Sequence, residues 1–269
     1  MPKFQLGFIG AGNMAEAIAR GVLKAQTYGP AEMMAADPTP GRRQLFSQQM
    51  GIACVEDSAA VARQAATILL AVKPQVVEKA LQQIAPAVQP GTLIISIVAA
   101  VSTAFIERHV PADTAVVRVM PNTALLAGAG VSALCPGAAC HEQHMSTARA
   151  IFAAAGKTLQ VPEEHMNAVT CLSGSGPAYA FFLAEALAQA GKTLGLPAEQ
   201  AMFLARETII GAGALLQQSS DSADELRRKV TSPGGFTEAA VKHLQAGGFA
   251  PLVQAALEAA SRRGDELAR

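Results

Sequence analysis

From residue 230 to residue 240 the chain reads Val-Thr-Ser-Pro-Gly-Gly-Phe-Thr-Glu-Ala-Ala, crowded with hydroxyls and glycine but holding no lysine, histidine or cysteine. Pro233 with Gly234 and Gly235 makes a turn, and a helix beginning near Thr237 would present backbone N–H groups that have no partner inside the helix. A helix start of this kind suits an anion such as a carboxylate. Ser232 can add a hydroxyl donor, and the Thr237 hydroxyl can both donate and accept. Val230 and Phe236 complete the candidate substrate-binding set. The same two hydroxyls would also serve as plain helix caps, and both readings stay open on the local pattern.

A second glycine cluster stands near the start of the chain. Gly10-Ala11-Gly12-Asn13-Met14-Ala15 follows the apolar Leu6-Gly7-Phe8-Ile9 and opens a helical pattern, fitting G-x-G-x-x-G/A in the context that motif requires. Gly10 permits the tight turn, Gly12 lets backbone approach a pyrophosphate, and Ala15 allows close packing of helix on strand. Asn13 and Met14 begin the helix whose positive end would face the phosphates. Asp37, at the end of the second strand, stands where an acid would bind the adenine ribose of NADH. Arg42 and Arg43 follow closely and could instead clasp the 2′-phosphate of NADPH. Val72, Lys73 and Pro74 end the fourth strand, and Ala99 lies just past the fifth. In an open parallel sheet such strand ends border the nicotinamide ribose.

The elements that must carry these residues are legible in the periodicity. LGFI, EMMAA, IACV, TILLAV, TLIISIV and AVVRVM read as strands, and the segments after Asn13, Gly41, Ser58, Gln75, Ser102 and Glu142 as helices. This alternation predicts an α/β Rossmann-type N-terminal domain with a mostly parallel, doubly wound sheet over residues 1–162. Beyond Pro162 no strand pattern continues. Residues 163–269 are rich in alanine and leucine at helical spacing, predicting an all-α C-terminal domain that carries the TSPGG turn. Its helices carry small residues on several faces, including Ala184, Ala188, Gly211 and Gly213, so a second copy of the chain is expected to cover them.

Composition narrows the function classes. Lys+Arg and Asp+Glu are both 21 in 269 residues, leaving no field to attract nucleic acid or an anionic membrane. No apolar run approaches the roughly 20 residues of a membrane span, and the N-terminus lacks a secretory pattern, so the expected location is cytoplasmic. The four cysteines show no CxxC spacing and read as reduced, packed thiols. Cys140, His141 and His144 read as a helix start, so no metal is expected.

Taken in order, GAGNMA, AVKP, MPNT, LSGSGPAY and TSPGG make the chain resemble the pyrroline-5-carboxylate reductases over essentially its whole length. The resemblance implies reduction of the cyclic imine 1-pyrroline-5-carboxylate to L-proline by NADPH or NADH, the last step of proline biosynthesis. It also implies a homodimer through the C-terminal helices and assembly of such dimers into a decamer. By position it assigns Ser232 and Thr237 to the substrate, and Gly10, Gly12, Asn13, Met14, Lys73 and Pro74 to the cofactor. The sequence departs from the family pattern at Ala124, where proline is usual, at Ala100, where glycine is usual, and at Phe236, where a small residue is usual. A β-hydroxyacid dehydrogenase would share both domains but would need a lysine to protonate a carbonyl oxygen, and AYAFFLAEAL after Pro177 has none.

Overall fold

The structure is a computed structural model and describes residues 2–268. Among the described residues eight strands form one sheet: β1 (Phe4–Ile9), β2 (Met33–Ala36), β3 (Ala53–Val55), β4 (Ala65–Leu70), β5 (Leu93–Ser96), β6 (Ala115–Pro121), β7 (Gly130–Pro136) and β8 (Gly156–Gln160). Their order is β3-β2-β1-β4-β5-β6-β7-β8, with every pair parallel except β6 and β7. Strand order reverses between β1 and β4, where the chain leaves β1 in one direction and later returns on its other side. That reversal opens a crevice beyond the carboxyl ends of these two strands.

The helices are α1 (Asn13–Lys24), α2 (Pro40–Gln44), α3 (Ser58–Ala62), α4 (Val77–Ile84), α5 (Thr103–Glu107), α6 (Glu142–Ala153), α7 (Met166–Val169), α8 (Gly176–Thr193), α9 (Ala198–Gln218), α10 (Ala223–Lys229), α11 (Phe236–Ala246) and α12 (Phe249–Leu267). Several starts are written in the sequence. Asp57 accepts from the Ala59 N–H at 2.9 Å to begin α3, and Ser102 accepts from Phe105 at 3.1 Å to begin α5. Helix α1 buries Ala15, Ala17, Ile18, Ala19 and Val22 on one stripe, with Glu16 in its first turn and Lys24 in its last, as its dipole favours.

The chain divides into two compact units, one reaching to Ser175 and including the segment from Ser261 onward, the other running from Gly176 to Ala260. In the first, the sheet separates two apolar cores. Leu6, Phe8, Ile18, Phe46, Ile95 and Phe152 build one, while Ile9, Val61, Ile68, Leu81, Ile94 and Val116 build the other. A smaller cluster of Met120, Ala133, Cys135 and Met166 closes the β6–β7 end. The second unit is all helical. Its buried residues, among those described, are Ala188, Ala201 and Ala205, while Phe181, Phe182, Phe203, Ile210 and Leu252 stand exposed.

Candidate active site

The glycine motif lies at the head of the crevice. The ladder continues past the strands there: Gly10 donates to the Ala36 carbonyl at 2.8 Å, Ala71 to Ile9 at 2.8 Å and Ile97 to Leu70 at 3.1 Å. These bonds align the exits of β1, β2, β4 and β5. Gly10 has φ of 94°, and a Cβ there would sit 2.7 Å from the Ala71 carbonyl oxygen, so both conformation and space demand glycine. Gly12 is different. It is the N-cap of α1 in extended conformation, and a Cβ there would meet nothing within 4 Å. The protein itself does not require glycine at that point, whereas a group lying against the open N-terminus of α1 would. Asn13 is exposed beside it, and Met14 packs inward against the core.

Asp37 and Arg42, read from the sequence as alternative ribose selectors, are brought to one residue, Ala11. Asp37 Oδ2 accepts from the Ala11 N–H at 2.8 Å, and Oδ1 accepts from the Thr39 N–H at 2.8 Å. The Nε of Arg42 donates to the Ala11 carbonyl, its Nη2 pairs with Glu16 at 2.9 Å, and its Nη1 reaches Asn13 Oδ1 at 3.5 Å. Arg43 donates to the carbonyls of Asp37 at 2.9 Å and Pro38 at 2.7 Å. An acid and one guanidinium therefore grip the glycine loop at Ala11, and a second guanidinium holds the backbone of the acid. Burial raises the Glu16 pKa, but hydrogen bonds and charge from Arg20 and Arg42 outweigh it and hold the carboxyl below its ordinary value.

Across the crevice, Ala71 and Val72 are half-buried, Lys73 is exposed, and Pro74 opens a single 3₁₀ turn. Past β5, Ala99 is exposed and Ala100 adopts φ of 58°, a left-handed conformation that costs an alanine about 1 kcal/mol or more. At the end of β6, Asn122 ties two motifs together, its Oδ1 accepting from Val131 N at 3.3 Å and its Nδ2 donating to the Ser173 carbonyl at 3.3 Å. MPNT thus holds the start of SGSG, where a π-turn over Thr170–Gly174 precedes α8. Sequence reading found both motifs and missed their connection, because a lone asparagine between proline and threonine has no periodic signature.

In the second unit, the TSPGG stretch forms the turn into α11. Gly235 is the N-cap, donating to the Ser232 carbonyl at 3.0 Å, and Gly234 takes φ of 72°. By helix geometry the N–H groups of Phe236, Thr237 and Glu238 point out of the first turn. Ser232 and Thr237 are both exposed on this turn, as is Val230 at the end of α10. Phe236 is 96% exposed in the single chain, so its ring turns out of the turn and does not fill it. One participant went unread: Glu238 accepts from the Gly234 N–H at 2.8 Å and pairs with Lys242 at 3.0 Å. The backbone bond from Gly234, with help from Lys242, lowers its pKa, and the Gly234 N–H is engaged within the turn. The three-residue spacing from the Gly235 cap was the available signal.

The thiols do not offer a nucleophile. Burial, reinforced by Asp37, pushes the Cys54 thiol up to about 11, and burial with Glu163 pushes Cys135 up to about 12. His144 caps α6, its Nδ1 accepting from the His141 N–H at 3.1 Å.

Comparison with known proteins matches residues 163–267 to the family described as pyrroline-5-carboxylate reductase dimerisation, and residues 5–100 to NADP oxidoreductase coenzyme F420-dependent. A pyrroline-5-carboxylate reductase from Synechocystis is 39% identical over 267 residues, 99% of each chain. One from Pseudomonas aeruginosa is 42% identical over 265 residues, 98% of this chain and 97% of the relative. Among solved structures, a pyrroline-5-carboxylate reductase from Coxiella burnetii superposes with a TM-score of 0.93 at 33% identity, covering 99% of each chain. The Plasmodium falciparum pyrroline carboxylate reductase, solved with NADP bound, gives 0.88 at 28% identity over 100% of each.

Proposed function

The chain belongs to the pyrroline-5-carboxylate reductase family, and from that membership we propose which of its residues do the work. It is an NAD(P)H-dependent oxidoreductase that reduces the C=N bond of 1-pyrroline-5-carboxylate to L-proline. The bound cofactor supplies the hydride. Gly10, Gly12, Asn13, Met14, Asp37 and Arg42 hold its adenosine and pyrophosphate end, and Val72, Lys73, Pro74 and Ala99 border its nicotinamide end. The open space over Gly12, at the free N-terminus of α1, supports that reading, since it leaves room for a phosphate to lie against the helix start.

The exposed first turn of α11 carries the substrate assignment: its outward N–H groups and the Ser232 hydroxyl suit the substrate carboxylate, and the Thr237 hydroxyl suits the ring nitrogen. Val230, Gly234, Gly235 and Phe236 shape the turn. The imine nitrogen is basic enough to be protonated from solvent, so hydride addition at carbon discharges a cation and leaves a neutral secondary amine. No alkoxide forms, and a strong acid is unnecessary. Positioning is the protein's main contribution.

The functional division is proposed at Pro162, with residues 1–162 for the dinucleotide and 163–269 for substrate and dimerisation, which the start of the dimerisation match at residue 163 supports. The chain forms a homo-oligomer. Its assembly unit is proposed to be a dimer through the C-terminal helices, with dimers gathered into a decamer in the cytoplasm. Among the described residues no helix is long and apolar enough to cross a membrane. Steady-state oxidation of NADPH and of NADH with pyrroline-5-carboxylate tests the function. Turnover with at least one, forming proline, is expected; a folded, cofactor-binding chain with no turnover would refute it.

A further inference from the structure

The carboxylate of Glu163 joins three other parts of the first unit, and neither the cofactor nor the substrate assignment uses it. Its Oε1 pairs with Nη1 of Arg118 on β6. Its Oε2 accepts from the Thr103 N–H at 3.3 Å and the Thr103 hydroxyl at 3.1 Å, at the start of α5, and from the Cys135 thiol of β7 at 3.6 Å. Arg118 is 7% exposed, and its Nε is buried without a partner. An arginine stays charged at any working pH, so the site holds a buried cation that Glu163 neutralises. With the Glu163 side chain 35% exposed, the pair adds little net stability. Its worth here is geometric.

What the pair fixes is the far end of a strained loop. Residues 97–102 leave β5 and pass through Ala99 and Ala100, the latter left-handed with φ of 58°. Alanine does not choose that conformation unaided, so the loop must be held at both ends. Its entry is held by Ile97 donating to the Leu70 carbonyl at 3.1 Å and Val98 donating to Ser96 Oγ at 3.3 Å. Its exit is Thr103, gripped twice by Glu163. Ser96 and Arg118 are register partners on β5 and β6, so the arginine that seats the carboxylate stands beside the strand from which the loop departs.

We propose that Glu163 is a positioning residue for the cofactor: seated by Arg118, it clamps Thr103 and so sets the loop that carries Ala99 against the nicotinamide end. The inference rests on the cofactor assignment of Ala99 made above. Its test uses the full chain and direct titration calorimetry with NADPH and NADH, beside kinetics and thermal melting. Replacing both charges, Arg118→Met with Glu163→Ala, avoids an unpaired buried arginine. That variant should fold, bind the preferred cofactor about tenfold more weakly and show a matching rise in its KM. The KM for pyrroline carboxylate at saturating cofactor should stay within about twofold.

Arg118→Met with Glu163→Gln restores an acceptor for Thr103 without either charge and should recover most of the affinity. Thr103→Val, which keeps the ion pair and deletes one hydroxyl, should weaken cofactor about two- to threefold, and it decides the matter if the alanine variant does not fold. Wild-type cofactor affinity in the folded alanine variant, or no recovery with glutamine, would overturn the proposal. A wild-type chain that binds neither cofactor would instead overturn the cofactor assignment, and the positioning role with it.

Discussion

Thr237 is where the mechanism is most exposed to test. Thr237→Val keeps the β-branched shape and deletes only the hydroxyl, so a lost hydrogen bond to a charged ring nitrogen should lower kcat/KM about ten- to a hundredfold, roughly 1.4 to 3 kcal/mol. Cofactor affinity should hardly change. Complete loss of turnover in a folded variant would make Thr237 an obligatory proton donor, and wild-type kinetics would reduce it to a helix cap. A second residue-scale expectation concerns Ala100, held at φ of 58° where the family pattern has glycine. Ala100→Gly should relieve about 1 kcal/mol of backbone strain and raise Tm by about 2 °C, measured by thermal melting. Ser232 and Thr237 could be read from the sequence because hydroxyls beside a glycine turn are a local pattern. Glu163 could not, because its partners lie 60 and 45 residues away, at Thr103 and Arg118.

Among the elements, the turn between β2 and α2 presents the sharpest choice. Asp37 and Arg42 grip the N–H and the carbonyl of the same residue, Ala11, so either could face the adenine ribose. Arg42→Ala with Arg43→Ala should weaken NADPH by at least tenfold more than NADH if the guanidiniums clasp a 2′-phosphate, read by calorimetry with both cofactors. Equal effects would make Asp37 the selector. Six of the eight strands were legible as apolar runs between helical patterns. The two that were not have physical reasons. β7 is rich in small residues and entered through Gly128 and Gly130, and it runs antiparallel to β6, outside the alternation that revealed the others. β8 is an edge strand, Gly-Lys-Thr-Leu-Gln, largely exposed, so it has no apolar run to betray it. The crevice itself was legible, because strand exits marked by glycine or proline are local; the Asn122 tie between MPNT and SGSG was not.

At the scale of the whole molecule, the second unit cannot be a finished structure on its own surface. Its buried residues among those described are three alanines, while Phe182 is 73% and Leu194 86% exposed. Apolar area left in water at that density calls for a partner, and a second copy supplies one by symmetry. Sedimentation of the full chain at micromolar concentration should show a dimer or a multiple of it, and a stable monomer would remove the interface proposed for α8 and α9. The first unit carries a different kind of dependence. Asn167, at the start of α7, donates to the Ser261 carbonyl and hydroxyl at 3.1 Å each and to Asp265 at 2.8 Å, while Gly264 leaves room for its Oδ1. These bonds span 94 to 98 residues, so α7 emerges from the ribosome long before the turn of α12 that latches it. A nascent chain from which residue 265 has not yet emerged therefore carries α7 without this latch.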